Sequence, residues 1–281
     1  MSTRSLTEEI ITAYGRYLLE QERSTGTINK YVRDVREFAL WLEDKPISKE
    51  NASAWKAELQ RKGIQPKTIN SKIAALNGFL RFVGRESCRV CFLKVQRKMF
   101  REKERELTRE EYVRLVTAAR SMGKDRLALL MESICATGIR VSEVKYLTVE
   151  AARRGRAEIS MKGKIRTILL PVKLSKKILK YAKKNKIASG EVFLTGSGNS
   201  LSRRQIWAEM KKLCTEANVA PSKVFPHNLR HLFAVVFYKL ERDIAHLADM
   251  LGHASIETTR IYLLASEKEQ SRSLEKLHLL C

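Results

Sequence analysis

The sequence predicts a mainly α-helical protein with two domains, an all-helical N-terminal domain and a mixed α+β domain with a small antiparallel sheet. Three observations lead to this fold class. The chain has 281 residues, which is too long for one small domain. Apolar residues recur at helical spacing over most of the chain. A single island, at residues 157–170, alternates in the way that paired strands do.

The chain carries a large excess of positive charge, since 54 Lys and Arg against 31 Asp and Glu give +23. Such an excess destabilises a compact chain by self-repulsion and therefore implies a polyanionic partner. Nucleic acid is the favoured partner, and an acidic membrane surface is the second candidate. No apolar run reaches the roughly 18 residues that span a bilayer. The N-terminal segment MSTRSLTEEI lacks a signal-peptide core, so we expect a cytoplasmic protein, or a nuclear one in a eukaryote.

The five cysteines are scattered, and an odd number without a signal peptide predicts reduced thiols. Cys88 and Cys91 form a lone CxxC pair. A zinc site would need a second ligand pair at matching spacing, and the sequence shows none. We therefore expect no bound metal.

Four helices are predicted in the first hundred residues. Ser5 and Glu8 form a capping-box pattern before the first helix. The other helices are predicted at about Thr27 to Leu42, about Lys49 to Arg61 (ending near Gly63), and from about Pro66 onward.

The polar faces of the second and fourth helices are basic. A basic face can simply be solvated, but two such faces on a small helical domain would also suit the major groove and its phosphates. The candidate DNA contacts are Lys30, Arg33, Lys67, Asn70 and Lys72.

A charged stretch poor in core residues, Lys94 to Glu106, is predicted to be a linker. The second domain follows with a capping box at Thr108 and Glu111. Its later elements are a hairpin of Ala157 to Met161 and Ile165 to Leu170, joined by residues near Tyr146 to Val149, and a helix capped by Ser202 and Gln205 that runs to about Ala217.

Two segments of the second domain place basic side chains beside helix ends. In ATGIRVSEV, Gly138 fits a left-handed helix terminus, and Arg140 follows it with a planar fork that suits a phosphate. In PHNLRHLFAVVFY, Pro226 opens a helix, and His227, Arg230 and His231 share one face. This face can be a phosphate site near a helix N-terminus, or an ordinary helix start with a satisfied histidine.

Two further segments carry reactive residue types. In LGHASIETTRIYLL, a helix stops at Gly252, Ser255 caps the next one, and Tyr262 falls about two turns into it, with His253 in the joint. Tyr262 can be a core aromatic or a nucleophile. A free phenol has a pKa of about 10 and reacts only when its proton is removed. In MKGKIRTILLP, lysines lie near the hairpin tip, where one could protonate a leaving alkoxide.

Together, the motifs TGIRVSE, HNLRH and LGHASIETTRIY resemble, in order and spacing, those of the tyrosine recombinase or phage integrase family, which includes Xer-type and Cre-like recombinases. The resemblance covers nearly the whole chain. It implies a core-binding domain at 1–93, a linker at 94–106 and a catalytic domain at 107–281. It also implies a site-specific recombinase that acts in integration, excision, inversion or resolution and needs no metal, ATP or other cofactor.

The resemblance also assigns roles to individual residues. Tyr262 would attack the scissile phosphate and form a 3′-phosphotyrosine. Arg140 and Arg230 would clamp the phosphate, and His227 and His253 would bind it. Lys162 would be the general acid; because the hairpin KGKIR is shorter than the family's usual pattern, Lys164 is the alternative. His231 would support the site.

The partners that the resemblance implies are double-stranded DNA with a short inverted-repeat site and three more copies of the chain. It is compatible with a free monomer and with an accessory protein, and it implies no membrane partner. The apolar cluster at Leu274, Leu277 and Leu279–Leu280 would dock into a neighbouring protomer. We expect the protein in the cytoplasm, associated with the nucleoid.

Three other functions agree with part of the sequence. A type IB topoisomerase-like enzyme would use the same chemistry without synapsis, but we expect such an enzyme to have a large extra domain. A non-catalytic DNA-binding regulator would be expected to lack at least one of the reactive residues. A basic RNA-binding protein would require the whole constellation to be coincidental.

Overall fold

The computed structural model describes residues 7–95, 103–161, 164–253, 255–262 and 275. The chain divides into two compact units, Met1–Arg97 and Lys98–Cys281. In the described residues, α-helices dominate and one two-stranded antiparallel sheet is present. The predicted fold class is therefore confirmed, while the predicted domain limits stay a prediction.

The first unit is helical in its described part: α1 (Glu8–Glu20), α2 (Thr25–Leu42), α3 (Lys49–Arg61) and α4 (Pro66–Phe82). The apolar stripe of α4 is buried, because residues three or four apart lie on one side of a helix; its members are Ile69, Ile73, Leu76 and Leu80. Aromatic rings fill the space between helices, with Tyr14 edge-on to Phe79 at 5.4 Å and Phe38 edge-on to Trp55 at 5.2 Å between ring centroids.

The helix starts differ from prediction at two places. Thr7 is the N-cap of α1, so Glu8 is the first helical residue rather than the third. The predicted capping box is therefore wrong at Glu8, and Ser5 lies outside the described residues. The helix α2 begins at Thr25, two residues earlier than predicted, because the Ser24 hydroxyl accepts from the Thr27 amide.

The second unit surrounds a long buried helix. Its α-helices in the described residues are α5 (Arg109–Ser121), α6 (Asp125–Thr137), α7 (Val149–Arg154), α8 (Val172–Lys184), α9 (Arg203–Lys211), α10 (Pro226–Glu241), α11 (Ile244–Leu251) and α12 (Ile256–Arg260). The central helix α6 packs against α5, α8 and α10, and most of its side chains are buried. Predicted capping boxes are present at Thr108–Glu111 and Ser202–Gln205, although α9 ends at Lys211 rather than near Ala217.

The sheet is the predicted hairpin, β1 (Arg156–Met161) and β2 (Lys164–Leu169), with Arg156 opposite Leu169. The side chains of Ala157, Ile159 and Ile168 are buried, and those of Ile165 and Leu169 are exposed. In sequence, two residues separate the strands, and both lie outside the described residues.

The prediction that residues near Tyr146 to Val149 join this sheet is wrong. Residues Val141–Tyr146 form a 3₁₀ helix, and Val149 begins α7. Thr148 pairs through an isolated bridge with Glu191, and its hydroxyl caps α7 by accepting from the Ala151 amide at 3.0 Å. The Thr148 cap starts α7 and thereby ends the extended conformation of this segment.

The end of the predicted linker is anchored in the second unit. Residues 96–102 lie outside the described residues, but Lys103–Arg105 forms a 3₁₀ turn. The buried Asn228 amide donates to the Arg105 carbonyl at 2.7 Å. This contact joins the turn to the start of α10, the helix that carries two of the predicted site residues.

Candidate active site

Arg140 follows the left-handed terminus of α6 at Gly138, where φ is +64°. The buried carboxylate of Glu143 holds it, accepting from the Arg140 backbone amide at 2.8 Å and from its Nη1 at 3.0 Å. Burial of Glu143 opposes ionisation, but the amide of Arg140 and the charges of Arg166 and Arg140 lower its pKa. The carboxylate is therefore ionised and fixes the guanidinium at the rim of the site.

Arg166, on β2, binds the same Glu143 carboxylate. Its Nε and Nη1 donors are buried without a hydrogen-bond partner in the described part of the chain. A Cβ atom at Gly252 would overlap this side chain, and Gly252 has φ +61°. Glycine is therefore favoured at Gly252 both for its backbone conformation and for the space that Arg166 occupies. Sequence reasoning did not single out Arg166, because its importance comes from contacts distant in sequence.

Arg230 is the most buried cation of the site, with 3% of its surface exposed. Its guanidinium donates to the carbonyls of Gly138 and Leu251, the latter at 2.8 Å. These carbonyls lie at the C-terminal ends of α6 and α11, where helix dipoles present partial negative charge. Burial, and then the charge of Arg140, lowers the pKa of Arg230 to about 10. Arg230 is still charged at neutral pH, and neutral acceptors hold it.

The side chain of His253 lies between Arg230 and α12. Its Nε2 is 2.9 Å from Nη2 of Arg230, and its Nδ1 is 2.8 Å from Oγ1 of Thr259. A guanidinium only donates, so Nε2 must accept and the proton of the neutral ring is on Nδ1. Burial, and then the charges of Arg230 and Arg140, lowers the pKa of His253 to about 4. The ring is therefore neutral at physiological pH.

His227 and His231 both project from the first turns of α10. His227 reaches solvent, yet the protein atoms crowded around it, and then the charge of Arg230, lower its pKa. A neutral imidazole with access to the cavity can accept a proton. His231 is largely buried and lies 3.7 Å from the Glu106 carboxylate, through its Nε2.

Tyr262 is 3% exposed and lies just beyond α12. The prediction that it falls two turns into a helix is wrong, because α12 has five residues and ends at Arg260. Its ring is stacked 6.0 Å from His253 and lies 5.1 Å from His231 and 6.3 Å from His227, between centroids. The tyrosine packs with Ala234, Leu247 and Leu251 and also lines the cavity described next. It is therefore both a packed aromatic and a member of the site.

These side chains surround a cavity of about 850 Å³, to which three of the four segments that carry predicted site residues contribute. The cavity brings together five predicted residues, Arg140, His227, Arg230, His253 and Tyr262. It is also lined by Arg203, Arg204 and Trp207 of α9, which sequence reasoning missed. A signal was present: two arginines in the first turn of a helix oppose the helix dipole, and such local conflict often marks an anion site.

The structure does not describe the predicted general acid. Lys162 lies outside the described residues. Lys164 begins β2 opposite Met161. Both assignments stay predictions.

The predicted DNA contacts lie on the first unit. Lys30 and Arg33 on α2 bind the buried Asp34 carboxylate at 2.5 and 3.2 Å, and Lys72 on α4 is 3.9 Å from it. Lys67 is exposed at the start of α4.

Asn70 has a local role that its position on a polar face did not reveal. Its side chain accepts from the Leu93 amide at 2.7 Å and donates to the Leu93 carbonyl at 2.9 Å. Asn77 holds Val90 in the same way, at 3.0 and 2.9 Å. These two side chains attach the segment after α4 to that helix, and the DNA-contact role of Asn70 stays a prediction.

Two features are absent from the described residues. No cluster of three or more His, Cys, Asp or Glu side chains there could hold a metal ion. Of the helices in the same part of the chain, none is long and apolar enough to cross a membrane.

Comparison with known proteins gives two family matches. Residues 105–269 match the model of the phage integrase family, and residues 11–87 match the phage integrase N-terminal SAM-like domain. Among curated relatives, tyrosine recombinase XerA of Pyrococcus furiosus is 29% identical, covering 100% of this chain and 98% of that protein. The XerA of Thermococcus kodakarensis is 30% identical, covering 96% and 97%.

Among solved structures, a lambda integrase tetramer bound to a Holliday junction matches with a TM-score of 0.72 at 19% identity. The match covers 93% of this chain and 78% of that one. At this identity the likeness concerns the fold. The family model spans more than half of the chain, and the relatives match over nearly its full length. The chain therefore belongs to the phage integrase family of tyrosine recombinases.

Proposed function

We propose that this protein is a site-specific recombinase that cleaves and religates DNA through a 3′-phosphotyrosine intermediate and exchanges strands in a tetramer on DNA. One observation carries the proposal: Arg140, His227, Arg230, His253 and Tyr262 come from three distant segments and line one cavity. Two arginines, two imidazoles and a phenol are the groups needed to hold a phosphodiester and attack it.

Tyr262 is the proposed nucleophile. Its phenolic oxygen attacks phosphorus, the bond to the 5′-oxygen breaks, and a tyrosyl 3′-phosphodiester and a free 5′-hydroxyl result. The phenolic proton is removed as the bond forms, and neutral His227, whose ring centroid lies 6.3 Å from that of Tyr262, is the proposed acceptor. One phosphodiester replaces another, so the 5′-hydroxyl of a partner strand can reverse the step without ATP.

Arg140 and Arg230 are the proposed clamp for the non-bridging oxygens. Charge develops on those oxygens in the transition state, and preorganised guanidinium forks stabilise it. Both forks are fixed before DNA binds, Arg140 by Glu143 and Arg230 by two helix-end carbonyls. With this clamp the proposed reaction uses no metal or other cofactor.

His253 and a hairpin lysine complete the proposed mechanism. His253 binds a phosphate oxygen through Nε2, the nitrogen that faces Arg230 in the free protein. Lys162, or Lys164 as the alternative, protonates the departing 5′-oxygen. The lysine choice rests on sequence position.

Double-stranded DNA with a short inverted repeat is the proposed substrate. The net charge of +23 and the exposed basic residues of the first unit support phosphate binding. The helical unit would act as the core-binding domain, at 1–93, with a linker at 94–106 and the catalytic domain at 107–281. The tetramer is supported by the solved lambda integrase assembly, and the C-terminal leucines, outside the described residues, would link protomers. Such an enzyme would work on DNA in the cytoplasm.

The test is covalent trapping. A duplex selected from a random pool by binding is nicked so that the strand released by cleavage diffuses away, and adducts are resolved on a denaturing gel. We expect an adduct with wild type, none with Tyr262→Phe, and an undiminished one with Tyr238→Phe, a partly buried tyrosine of the same cluster. An adduct that persists in Tyr262→Phe, or no adduct with wild type on tightly bound DNA, would contradict the proposal. Strand exchange between two marked duplexes then separates a recombinase from a topoisomerase-like enzyme.

A further inference from the structure

Thr259 contacts two site residues at once. Its side chain is fully buried, at 0% exposure, on α12 between His253 and Tyr262. Its Oγ1 lies 2.8 Å from Nδ1 of His253, and its carbonyl accepts from the Tyr262 amide at 3.0 Å. Thr259 lies within the motif LGHASIETTRIY but is not among the predicted site residues.

The hydrogen bonds around His253 define what Thr259 does in the free protein. Arg230 can only donate, so Nε2 of His253 accepts and Nδ1–H donates to Oγ1 of Thr259. The ring is thereby held at both nitrogens. A pKa of about 4 for His253 agrees with this neutral arrangement.

Binding of a phosphate reverses this requirement. In the proposed function, Arg230 and His253 both face phosphate oxygens, which only accept hydrogen bonds. His253 must then donate from Nε2, so that its Nδ1 in the neutral ring becomes an acceptor. A hydroxyl can donate or accept, so Thr259 can bind Nδ1 in either state without movement of the ring.

We propose that Thr259 is a positioning residue that fixes the His253 imidazole for phosphate binding, its hydroxyl changing from acceptor in the free protein to donor on DNA. The ring proton leaves Nδ1 and another is gained at Nε2, both by exchange with water, so no net proton is consumed. The proposal rests on the proposed function for its DNA-bound half. Its other half, the Nδ1–H state held by Thr259, concerns the free protein alone.

Three variants separate this role from simple packing. Thr259→Val keeps the shape and removes the hydroxyl, and Thr259→Ser keeps the hydroxyl and removes the methyl. Thr148→Val is the matched control, because it also removes a threonine hydroxyl. This hydroxyl caps α7 by accepting from the Ala151 amide. All three are expected to lower the melting temperature, so stability alone does not distinguish them.

The decisive readout is the ¹⁵N spectrum of histidine side chains in full-length protein, with the His253 signals assigned from His253→Gln. In free wild type we expect the Nδ1–H tautomer. Thr259→Val should keep the Nδ1–H tautomer, because Arg230 still donates to Nε2, but its Nδ1 signal should shift and broaden as the ring loses its second hydrogen bond. Thr259→Ser and Thr148→Val should keep the wild-type signals. In Tyr262→Phe bound to the selected duplex, we expect the Nε2–H tautomer.

Cleavage kinetics supply the functional readout. Thr259→Val should slow adduct formation about 10- to 100-fold with DNA affinity nearly unchanged, as for groups that orient a reacting ligand. Thr259→Ser should stay within about threefold of wild type, by the same reasoning. An Nε2–H tautomer in free wild type, an unaltered His253 spectrum in Thr259→Val, or equal rates for the two Thr259 variants would overturn the proposal. If wild type forms no adduct, the proposed function fails, and the free-protein spectra still decide whether Thr259 fixes the ring.

Discussion

The two units of this protein hold their positive charge in different ways. On the first unit, Lys30, Arg33 and Lys72 gather around the buried Asp34 carboxylate, and Lys72 also binds Glu37. In the cavity of the second unit, Arg230 is held by two carbonyls and an imidazole, all neutral.

Beside the cavity, one carboxylate, Glu143, is shared by Arg140 and Arg166. Arg140, Arg166 and Arg230 therefore have one carboxylate among them, whereas the three cations of the first unit have two. In the proposed mechanism, the charge that stabilises the transition state is left largely uncompensated and is fixed by geometry. The predicted DNA contacts of the first unit would only attract a phosphate backbone, so they can be paired with acids that they release when DNA binds.

The largest expected effect is at Arg230. Arg230→Lys keeps the charge but cannot reach Gly138, Leu251 and His253 together, so cleavage should fall about 10³-fold, as for loss of a preorganised oxyanion donor. DNA affinity should change little. Arg33→Lys replaces an exposed guanidinium and keeps its charge, so DNA affinity should change less than about twofold. Comparable losses at both positions, measured by trapping and filter binding, would remove the distinction between the units.

A smaller effect is expected at Gly252. Gly252→Ala forces a left-handed alanine against the Arg166 side chain. Gly155→Ala also forces a left-handed alanine, at φ +69°, but with open space around it. Backbone strain alone should cost each variant about 1 kcal/mol. We expect Gly252→Ala to lose more in urea unfolding, and also to cleave more slowly, because Arg166 and His253 shift. Equal losses in both variants would show that the Arg166 contact is unimportant.

Removal of the Asp34 carboxylate from the first unit should have a modest effect on DNA affinity. Asp34→Asn takes away a negative charge near the predicted DNA face, so non-specific affinity should rise about two- to threefold and its salt dependence should steepen. Cleavage of bound DNA should be unchanged, since this charge is not part of the cavity. Titrations of a random duplex at several salt concentrations test this, and weaker binding would contradict it.

The last expected effect concerns pH. The folded pKa of His253, about 4, lies below its ordinary value of 6.5. Between these values the unfolded chain binds a proton that the folded one does not, so stability must fall as pH drops through this window. His253→Gln should flatten that decline in urea unfolding measured from pH 7 to pH 4. An unchanged slope would mean that His253 is not the group responsible.

Local signals in the sequence predicted local structure well. Gly138 and Gly252 take the left-handed terminus positions, and Thr108 and Ser202 form capping boxes, because these motifs involve neighbouring residues only. The convergence of site residues was predicted through the family's motifs, and the cavity brings five of them together.

Contacts distant in sequence were not predictable in this way. Three such interactions depend on how helices, strands and loops pack. They are those of Arg166 with Glu143, of Arg203 with His227, and of Asn70 with Leu93. The error at Tyr146 to Val149 is partly of this kind, because Thr148, besides capping α7, pairs with Glu191 far along the chain. The sequence predicts Tyr262 within a helix, because Ile256 and Leu263 are spaced as on one helix face. The helix ends earlier, at Arg260.

The most direct test of the central claim is to identify the residue joined to DNA. The trapped complex is digested with trypsin and nuclease, and the peptide IYLLASEK, residues 261–268, is sequenced by mass spectrometry. The account predicts a nucleotide attached to the phenolic oxygen of Tyr262. A nucleotide on any other residue of the chain would contradict it.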